Sequence, residues 1–212
     1  MDVLTHAIEA YTSTLANDYT DGLALQAIKL VFENLESSVK NADFTSREKM
    51  HNASTMAGMA FANAFLGMSH SMAHKIGGFF HTVHGRTNAI LLPYVIRYNG
   101  TRPAKTSTWP KYNYYRADEK YQDIARMLGL PSSTPEEAVD ALAKAVYELG
   151  EAVGIEMNFK AQGVDEKEWK EHSRELAFLA YEDQCSPANP RLPMVDHMQE
   201  IIEDAYYGYK ER

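Results

Sequence analysis

The chain has 212 residues, 45% of them hydrophobic and 24% charged, and a formal net charge of −8 at pH 7. This length and balance fit a globular protein, and we expect residues 1–212 to form a single helical metal-binding domain. The negative charge argues against nucleic acid or an anionic membrane surface as the main partner. The least polar stretch, residues 53–68, is too short for a membrane span and contains Asn63.

The cysteine content and the first residues bear on the cellular compartment. Cys185 is the single cysteine and cannot form an internal disulfide, which fits a reducing compartment. The first residues lack the basic segment and apolar run of a secretory signal. We therefore expect a cytoplasmic protein.

The first three predicted elements are helices. Apolar residues recur at helical spacing over residues 2–15, and a second helix is predicted over residues 20–39. A third helix begins at a capping box over residues 45–48 and runs to residue 65. Because it is rich in Ala, Gly and Met, which allow close packing and fill irregular gaps, we expect it to be the central helix of a bundle.

Residues 67–85 contain four of the eight histidines. His70 and His74 are four residues apart and share a helix face, which is the spacing at which two imidazoles bind one metal. Histidines at this spacing also cap helices or form hydrogen bonds within a core, so spacing alone leaves both alternatives open. His84 could reach the same metal only if the chain turned, and Gly77-Gly78 is the predicted place for that turn.

Asp2 and His6 form a second pair with helical spacing. A carboxylate and an imidazole on one helix face make half of a metal site, although an acidic residue at a helix N-terminus is also favoured by the helix dipole. Two half-sites built from Asp and His without sulfur suit Fe(II) or Zn(II) better than Cu(I) or an iron–sulfur cluster.

The remaining elements are also predicted to be helical, apart from two loops. Residues 87–98 are predicted as a buried helix kinked at Pro93, because proline would block pairing in a central strand and no partner strand is evident. Residues 100–117 are predicted as an irregular surface loop that packs on another domain or subunit. Its basic and aromatic residues could instead stack on nucleic acid, but Asp118 and Glu119 follow at once in an acidic chain.

Further helices are predicted over residues 118–128, 134–153, 165–181 and 194–207, with a loop over residues 183–193. The second and third of these have N-caps, Thr134 and Asp165. His51, His172 and His197 stand alone in charged surroundings and are predicted to be surface residues.

Three separated segments carry a resemblance to a known family. They are Asp-Val-Leu-Thr-His-Ala-Ile-Glu-Ala-Tyr at residues 2–11, Ser-His-Ser-Met-Ala-His-Lys-Ile-Gly-Gly at 69–78 and His-Gly-Arg-Thr-Asn-Ala-Ile-Leu-Leu-Pro at 84–93. Together they resemble the iron-containing (group III) alcohol dehydrogenases, and residues 182–191 resemble the C-terminal segment of that family. Residues 101–121 look most like the alcohol dehydrogenase half of bifunctional aldehyde–alcohol dehydrogenases. The resemblance implies an all-α, multi-helix bundle that is the C-terminal domain of this fold.

The resemblance also implies a site and a reaction. By position, the metal ligands are Asp2, His6, His70 and His84, and His74 lies beside the nicotinamide and the substrate as a catalytic and cofactor-contacting residue. His81 is assigned no role. The implied reaction interconverts short-chain aldehydes such as acetaldehyde and primary alcohols such as ethanol, by hydride transfer to or from NAD(H) with Fe(II), or Zn(II), as the metal.

The nucleotide-binding part of this family is an N-terminal α/β domain, and no Gly-x-Gly-x-x-Gly follows a strand in these residues. We therefore expect a fragment of a longer dehydrogenase that is inactive alone, and a homo-oligomer. Two alternatives are a non-catalytic helical assembly module with a vestigial metal site and a hydrolytic metalloenzyme. The second is disfavoured because no His-Glu-x-x-His is present.

Local spacing and resemblance disagree about one ligand. Spacing favours His74, which needs no break in the helix, whereas resemblance favours His84. We expect His84 to bind the metal, because otherwise Gly77-Gly78 and the His84-Gly85 pair would have no explanation.

Overall fold

A computed structural model describes residues 1–104 and 115–208. Within these ranges all regular structure is helical, which confirms the all-α prediction. The helices there are α1 (Asp2–Thr12), α2 (Asp18–Lys40), α3 (Phe44–Ala64), α4 (Met68–Phe80), α5 (His84–Gly100), α6 (Ala117–Met127), α7 (Pro135–Ala152), α8 (Glu166–Tyr181) and α9 (Val195–Tyr207), with one 3₁₀ turn at Ser186–Ala188. No helix in the described part is long and apolar enough to cross a membrane.

The central helix is α5. Leu92 and Ile96 on one face belong to a hydrophobic cluster formed with α1, α2, α3, α6 and α7. Ile90 and Val95 belong to a second cluster formed with α4, α8 and α9. Residues 87–93 of α5 are all buried, which places this part of the helix between the two halves of the core.

The prediction that the third helix is central was wrong. α3 buries one stripe of small residues, Ala53, Ala57, Ala60 and Ala64, while Met59 is 53% exposed. The stripe lies against α1 and α2. These alanines therefore allow α3 to pack closely on one face, and the helix lies at the periphery of the bundle.

The helix caps were predicted with mixed success. Thr134 and Asp165 cap α7 and α8 as expected. The capping box over residues 45–48 was wrong, because the N-cap of α3 is Asp43. Its carboxylate accepts hydrogen bonds from the first turn of α3 and from the Ser37 hydroxyl of α2. The hydrogen bond to α2 is a tertiary contact, which a local motif does not include.

The turn between α4 and α5 lies beyond the predicted glycines. α4 continues through Gly77 and Gly78 to Phe80, so the prediction of a turn at the glycine pair was wrong. His81 ends the helix in the left-handed conformation, with φ 56° and ψ 30°. A Cβ on Gly77 would lie 3.4 Å from the Thr82 carbonyl oxygen, so glycine here leaves room for the returning chain.

The loops fall near their predicted positions. Residues 105–114 of the predicted 100–117 loop lie outside the described residues, and residues 101–104 and 115–116 have no regular structure. Between α8 and α9 the chain is irregular apart from the 3₁₀ turn. α5 begins at His84 and includes Pro93 in its interior. The kink at Pro93 stays a prediction.

Candidate metal centre

The first turns of three helices meet at one point. Asp2 opens α1, His70 is the third residue of α4, and His84 opens α5. One ligand atom from each lies within 4.8 Å of the others. Asp2 Oδ1 is 3.9 Å from His70 Nε2 and 3.6 Å from His84 Nε2. Atoms bound at about 2.0–2.2 Å to one metal lie at most about 4.4 Å apart, so both pairs can share an ion.

His70 is the most informative member of this cluster. It is 1% exposed, and its Nδ1 lies 2.6 Å from Oε2 of Glu9. Its Nε2 is buried and has no hydrogen-bond partner in the described part of the chain. A buried polar atom without a partner is costly, and a metal ion at the cluster would give Nε2 one. The residues present therefore fit a divalent metal ion.

His6 lies beside the cluster. Its ring stacks between those of Phe61 and His70, with centroid distances of 4.6 and 4.5 Å. Its Nδ1 is 3.8 Å from Asp2 Oδ2. Burial, followed by the nearby His70, lowers the pKa of His6 to about 4, although Asp2 and Glu9 oppose the shift. His6 is therefore neutral at pH 7, which is the form that binds metals.

A buried amide links the ligands of α1 and α5. The side-chain nitrogen of Asn88 lies 2.9 Å from Asp2 Oδ1 and 3.1 Å from His84 Nε2. Burial lowers the pKa of His84 despite the opposing charge of Asp2. A Cβ on Gly85 would lie 3.2 Å from the Asp2 Cβ, so glycine permits this close approach of α5 to α1.

His74 lies next to the cluster. Its ring stacks on that of His84 at 5.6 Å, and its side chain is 34% exposed. Its Nδ1 is 3.2 Å from Oδ2 of Asp183, in the loop after α8. Lys75 Nζ and the Cys185 N–H also contact this carboxylate, at 2.9 and 3.0 Å. Burial by itself would raise the pKa of Asp183, but these hydrogen bonds outweigh it and the pKa is lowered.

His74, Asp183 and Cys185 also lie close enough to form a second group of candidate ligands. Two observations argue against a metal there. Lys75 already neutralises Asp183. Burial and the Asp183 charge raise the pKa of the Cys185 thiol to about 12, which disfavours the thiolate form that metals bind.

The other histidines are outside the site. His81 is exposed, and so is His51, as predicted. His172 is half-buried, and its ring lies 4.5 Å from that of Phe79. His197, also predicted to be a surface residue, is half-buried, and its Nδ1 lies 3.0 Å from the Tyr98 hydroxyl.

Sequence reasoning missed three polar residues at the site: Glu9, Asn88 and Asp183. The signal for Glu9 was present, because Asp2, His6 and Glu9 follow the i, i+4, i+7 spacing of one helix face. Asp183 has no such local signal, since 109 residues separate it from His74.

The chain is similar to several known proteins. The family model described as the Fe-containing alcohol dehydrogenase family, C-terminal, matches residues 1–206. The aldehyde-alcohol dehydrogenase of Streptococcus pneumoniae serotype 2 (strain D39) is 89% identical over 212 residues, which are 100% of this chain and 24% of that protein.

Two other relatives are shorter. The NADPH-dependent butanol dehydrogenase of Clostridium saccharobutylicum is 45% identical over 208 residues, covering 98% of this chain and 50% of that protein. The crystal structure of a 1,3-propanediol oxidoreductase superposes with a TM-score of 0.84 at 36% identity, covering 97% of this chain and 50% of that one. The chain thus spans about a quarter to a half of these relatives.

Proposed function

Because the chain belongs to the iron-containing alcohol dehydrogenase family, whose C-terminal part it matches, we propose that it is the metal-binding domain of an aldehyde- and alcohol-interconverting enzyme. The proposed substrates are short-chain aldehydes and primary alcohols, with acetaldehyde and ethanol as the pair to test. The 89% identity to an aldehyde-alcohol dehydrogenase supports this substrate class. The proposed nicotinamide is NAD(H), bound mainly by residues outside this chain.

The observation that carries the proposal is the buried Nε2 of His70, which lacks a partner among the described residues and lies beside Asp2 and His84. We propose that Asp2, His6, His70 and His84 hold Fe(II), or Zn(II) in its place. Four protein ligands can leave a position for a substrate oxygen if the metal takes five. When bound, the metal would polarise a carbonyl oxygen and the nicotinamide would supply or accept the hydride.

His74 is the residue we propose to act beside the substrate and the nicotinamide. Its Nδ1 is held by Asp183, which fixes the ring plane and leaves Nε2 as the nitrogen that can exchange a proton. In aldehyde reduction, His74 in its imidazolium form would donate the Nε2 proton to the developing alkoxide and become neutral, while Nδ1–H stays on Asp183. In alcohol oxidation, the Nε2 lone pair of neutral His74 would accept the hydroxyl proton of the alcohol, which gives the imidazolium again.

The proposed partners of the chain are the nucleotide-binding domain of the same enzyme and further copies in a homo-oligomer, in the cytoplasm. Without that domain the hydride donor is not held in place. Since positioning of reactants can supply roughly 7–11 kcal/mol of a barrier, we expect the 212-residue chain alone to be inactive.

The test uses the intact enzyme and the 212-residue chain side by side. The intact enzyme is stripped of metal, reloaded with Fe(II) or Zn(II), and assayed for NADH-dependent reduction of acetaldehyde. We expect turnover to return with metal in the wild type but not in His70→Ala. Turnover that is independent of metal would contradict the proposed chemistry, and an inactive but well-assembled intact enzyme would favour the assembly module. Robust turnover by the 212-residue chain alone would contradict the expectation that the chain is inactive without the nucleotide-binding domain.

A further inference from the structure

The geometry points to Glu9 as a positioning residue that sets the tautomer of His70. The Glu9 carboxylate accepts the hydrogen bond from Nδ1–H of His70, and the imidazole is left with its lone pair on Nε2, facing Asp2 and His84. This inference rests on the proposed metal site, and it assigns a role to a residue that binds neither metal nor substrate.

The contacts of Glu9 define it as an acceptor. It is 3% exposed, and its Oε2 lies 2.6 Å from His70 Nδ1. The backbone N–H of Ser69 donates to Oε1 at 2.7 Å, and that of Gly67 donates to Oε2 at 3.0 Å. Both oxygens therefore already accept hydrogen bonds from backbone donors. A carboxyl group with a backbone N–H donor on each oxygen is placed as an acceptor, so we assign the hydrogen in the contact with His70 to Nδ1.

The other ring nitrogen of His70 fits this assignment. A neutral imidazole carries one N–H, so a hydrogen on Nδ1 leaves Nε2 as a lone-pair donor. Nε2 is the atom without a partner in the described structure, and it lies 3.9 Å from Asp2 Oδ1. Carboxylates that hold the far nitrogen of a metal-bound histidine fix its orientation and raise its basicity.

The local structure is built to bring this carboxylate to His70. Glu9 follows Asp2 and His6 on the same face of α1, so one helix supplies two proposed ligands and the carboxylate behind a third. Gly67 is the N-cap of α4, and a Cβ there would lie 3.0 Å from Glu9 Oε1 and 2.8 Å from Asn189 Oδ1. Glycine therefore leaves the space in which the carboxylate meets the first turn of α4.

The test is Glu9→Gln, which keeps the size of the side chain but replaces one acceptor with a donor. Glutamine cannot accept from Gly67, Ser69 and His70 together, so we expect the His70 hydrogen to move to Nε2. The tautomer is measured from the ¹⁵N shifts of histidine-labelled 212-residue chain without metal. Zn(II) affinity is measured by competition with a chelator, and we expect it to fall roughly 10- to 100-fold.

The matched control is Ser71→Ala. Ser71 is buried in the same turn of α4, and its hydroxyl contacts the Gly67 carbonyl and Ser186 rather than the His70 ring. We expect this variant to keep the Nδ1–H tautomer and the wild-type Zn(II) affinity. A loss of affinity equal to that of Glu9→Gln would show that any disturbance of this turn weakens binding, and would overturn the assignment.

The outcomes separate the inference from the proposed function. A wild-type chain with the hydrogen on Nε2 of His70 overturns the role of Glu9 whether or not the variant folds. Zn(II) binding that depends on His70 but is unchanged in Glu9→Gln overturns the role of Glu9 alone. A wild-type chain that binds no Zn(II) overturns the proposed metal site itself.

Discussion

The imidazole Nδ1 of His74 lies 3.2 Å from the carboxylate Oδ2 of Asp183, although 109 residues separate the two in the chain. The contact joins α4, which carries His70, to the loop that follows α8. The carboxylate is itself held by Lys75 and by the Cys185 N–H, so it presents a fixed acceptor to the imidazole. The Asp183 carboxylate thus fixes the orientation of the His74 ring, which lies next to the proposed metal ligands.

The first prediction concerns this orientation. Asp183→Asn should lower the turnover of the intact enzyme by roughly 10- to 100-fold, because the amide no longer selects the Nδ1–H form of His74. Metal content should stay at the wild-type level. Asp183 contacts His74, Lys75 and Cys185, and none of these three is a proposed metal ligand. The control is Glu182→Gln, the same carboxylate-to-amide change at the exposed neighbouring position. Loss of metal in Asp183→Asn would show that the carboxylate belongs to the metal site instead.

The second prediction separates ligand from catalytic residue. In the intact enzyme, His84→Ala should lose most of its metal, because His84 Nε2 lies 3.6 Å from Asp2 Oδ1 in the ligand cluster. His74→Ala should keep most of its metal and lose turnover. Metal content is measured by elemental analysis and turnover by NADH oxidation. If His74→Ala empties the site and His84→Ala does not, the assignment of the third histidine is reversed.

The third prediction is the pH dependence of Cys185 alkylation. Burial and the Asp183 charge raise the pKa of this thiol to about 12, and the thiolate is the reactive form. At pH 8 the folded chain should therefore react with iodoacetamide on the order of 1000-fold more slowly than the urea-unfolded chain, whose thiol has a pKa of about 8.5. At pH values below this pKa, the alkylation rate of the folded chain should rise with pH, because the thiolate fraction rises. Equal rates for the folded and unfolded chains at pH 8 would contradict the raised pKa.

The fourth prediction compares two glycines. A Cβ on Gly100 would lie 2.4 Å from the Val139 Cγ2, so Gly100→Ala should push α5 and α7 apart and cost about 1–3 kcal/mol of unfolding free energy. A Cβ on Gly22, inside α2, would have nothing within 4 Å of it. Gly22→Ala should stabilise the chain by about 0.5–1 kcal/mol, because alanine favours the helix. Urea unfolding of both variants measures the difference, and a neutral Gly100→Ala would contradict the tight α5–α7 contact.

Residues close in the sequence determined the helices and half of the site. The helical spacing of apolar residues and the caps at Thr134 and Asp165 depend on contacts within a turn or two. These features could therefore be predicted from the sequence without knowledge of the fold. The spacing of Asp2 and His6 likewise placed both on one face of α1. Glu9 continues that face, and its role depends on the same local geometry.

Only the tertiary structure decided which distant groups meet. α5 became the central helix because two hydrophobic clusters close on its opposite faces, and its own sequence does not specify which helices form them. The return of His84 to His70 depended on the left-handed His81 rather than on the glycine pair. Asp183 reached His74 through the packing of α8 against α4. These contacts bring together groups far apart in the chain, and their positions follow from how the helices share a core, a condition that no local segment contains.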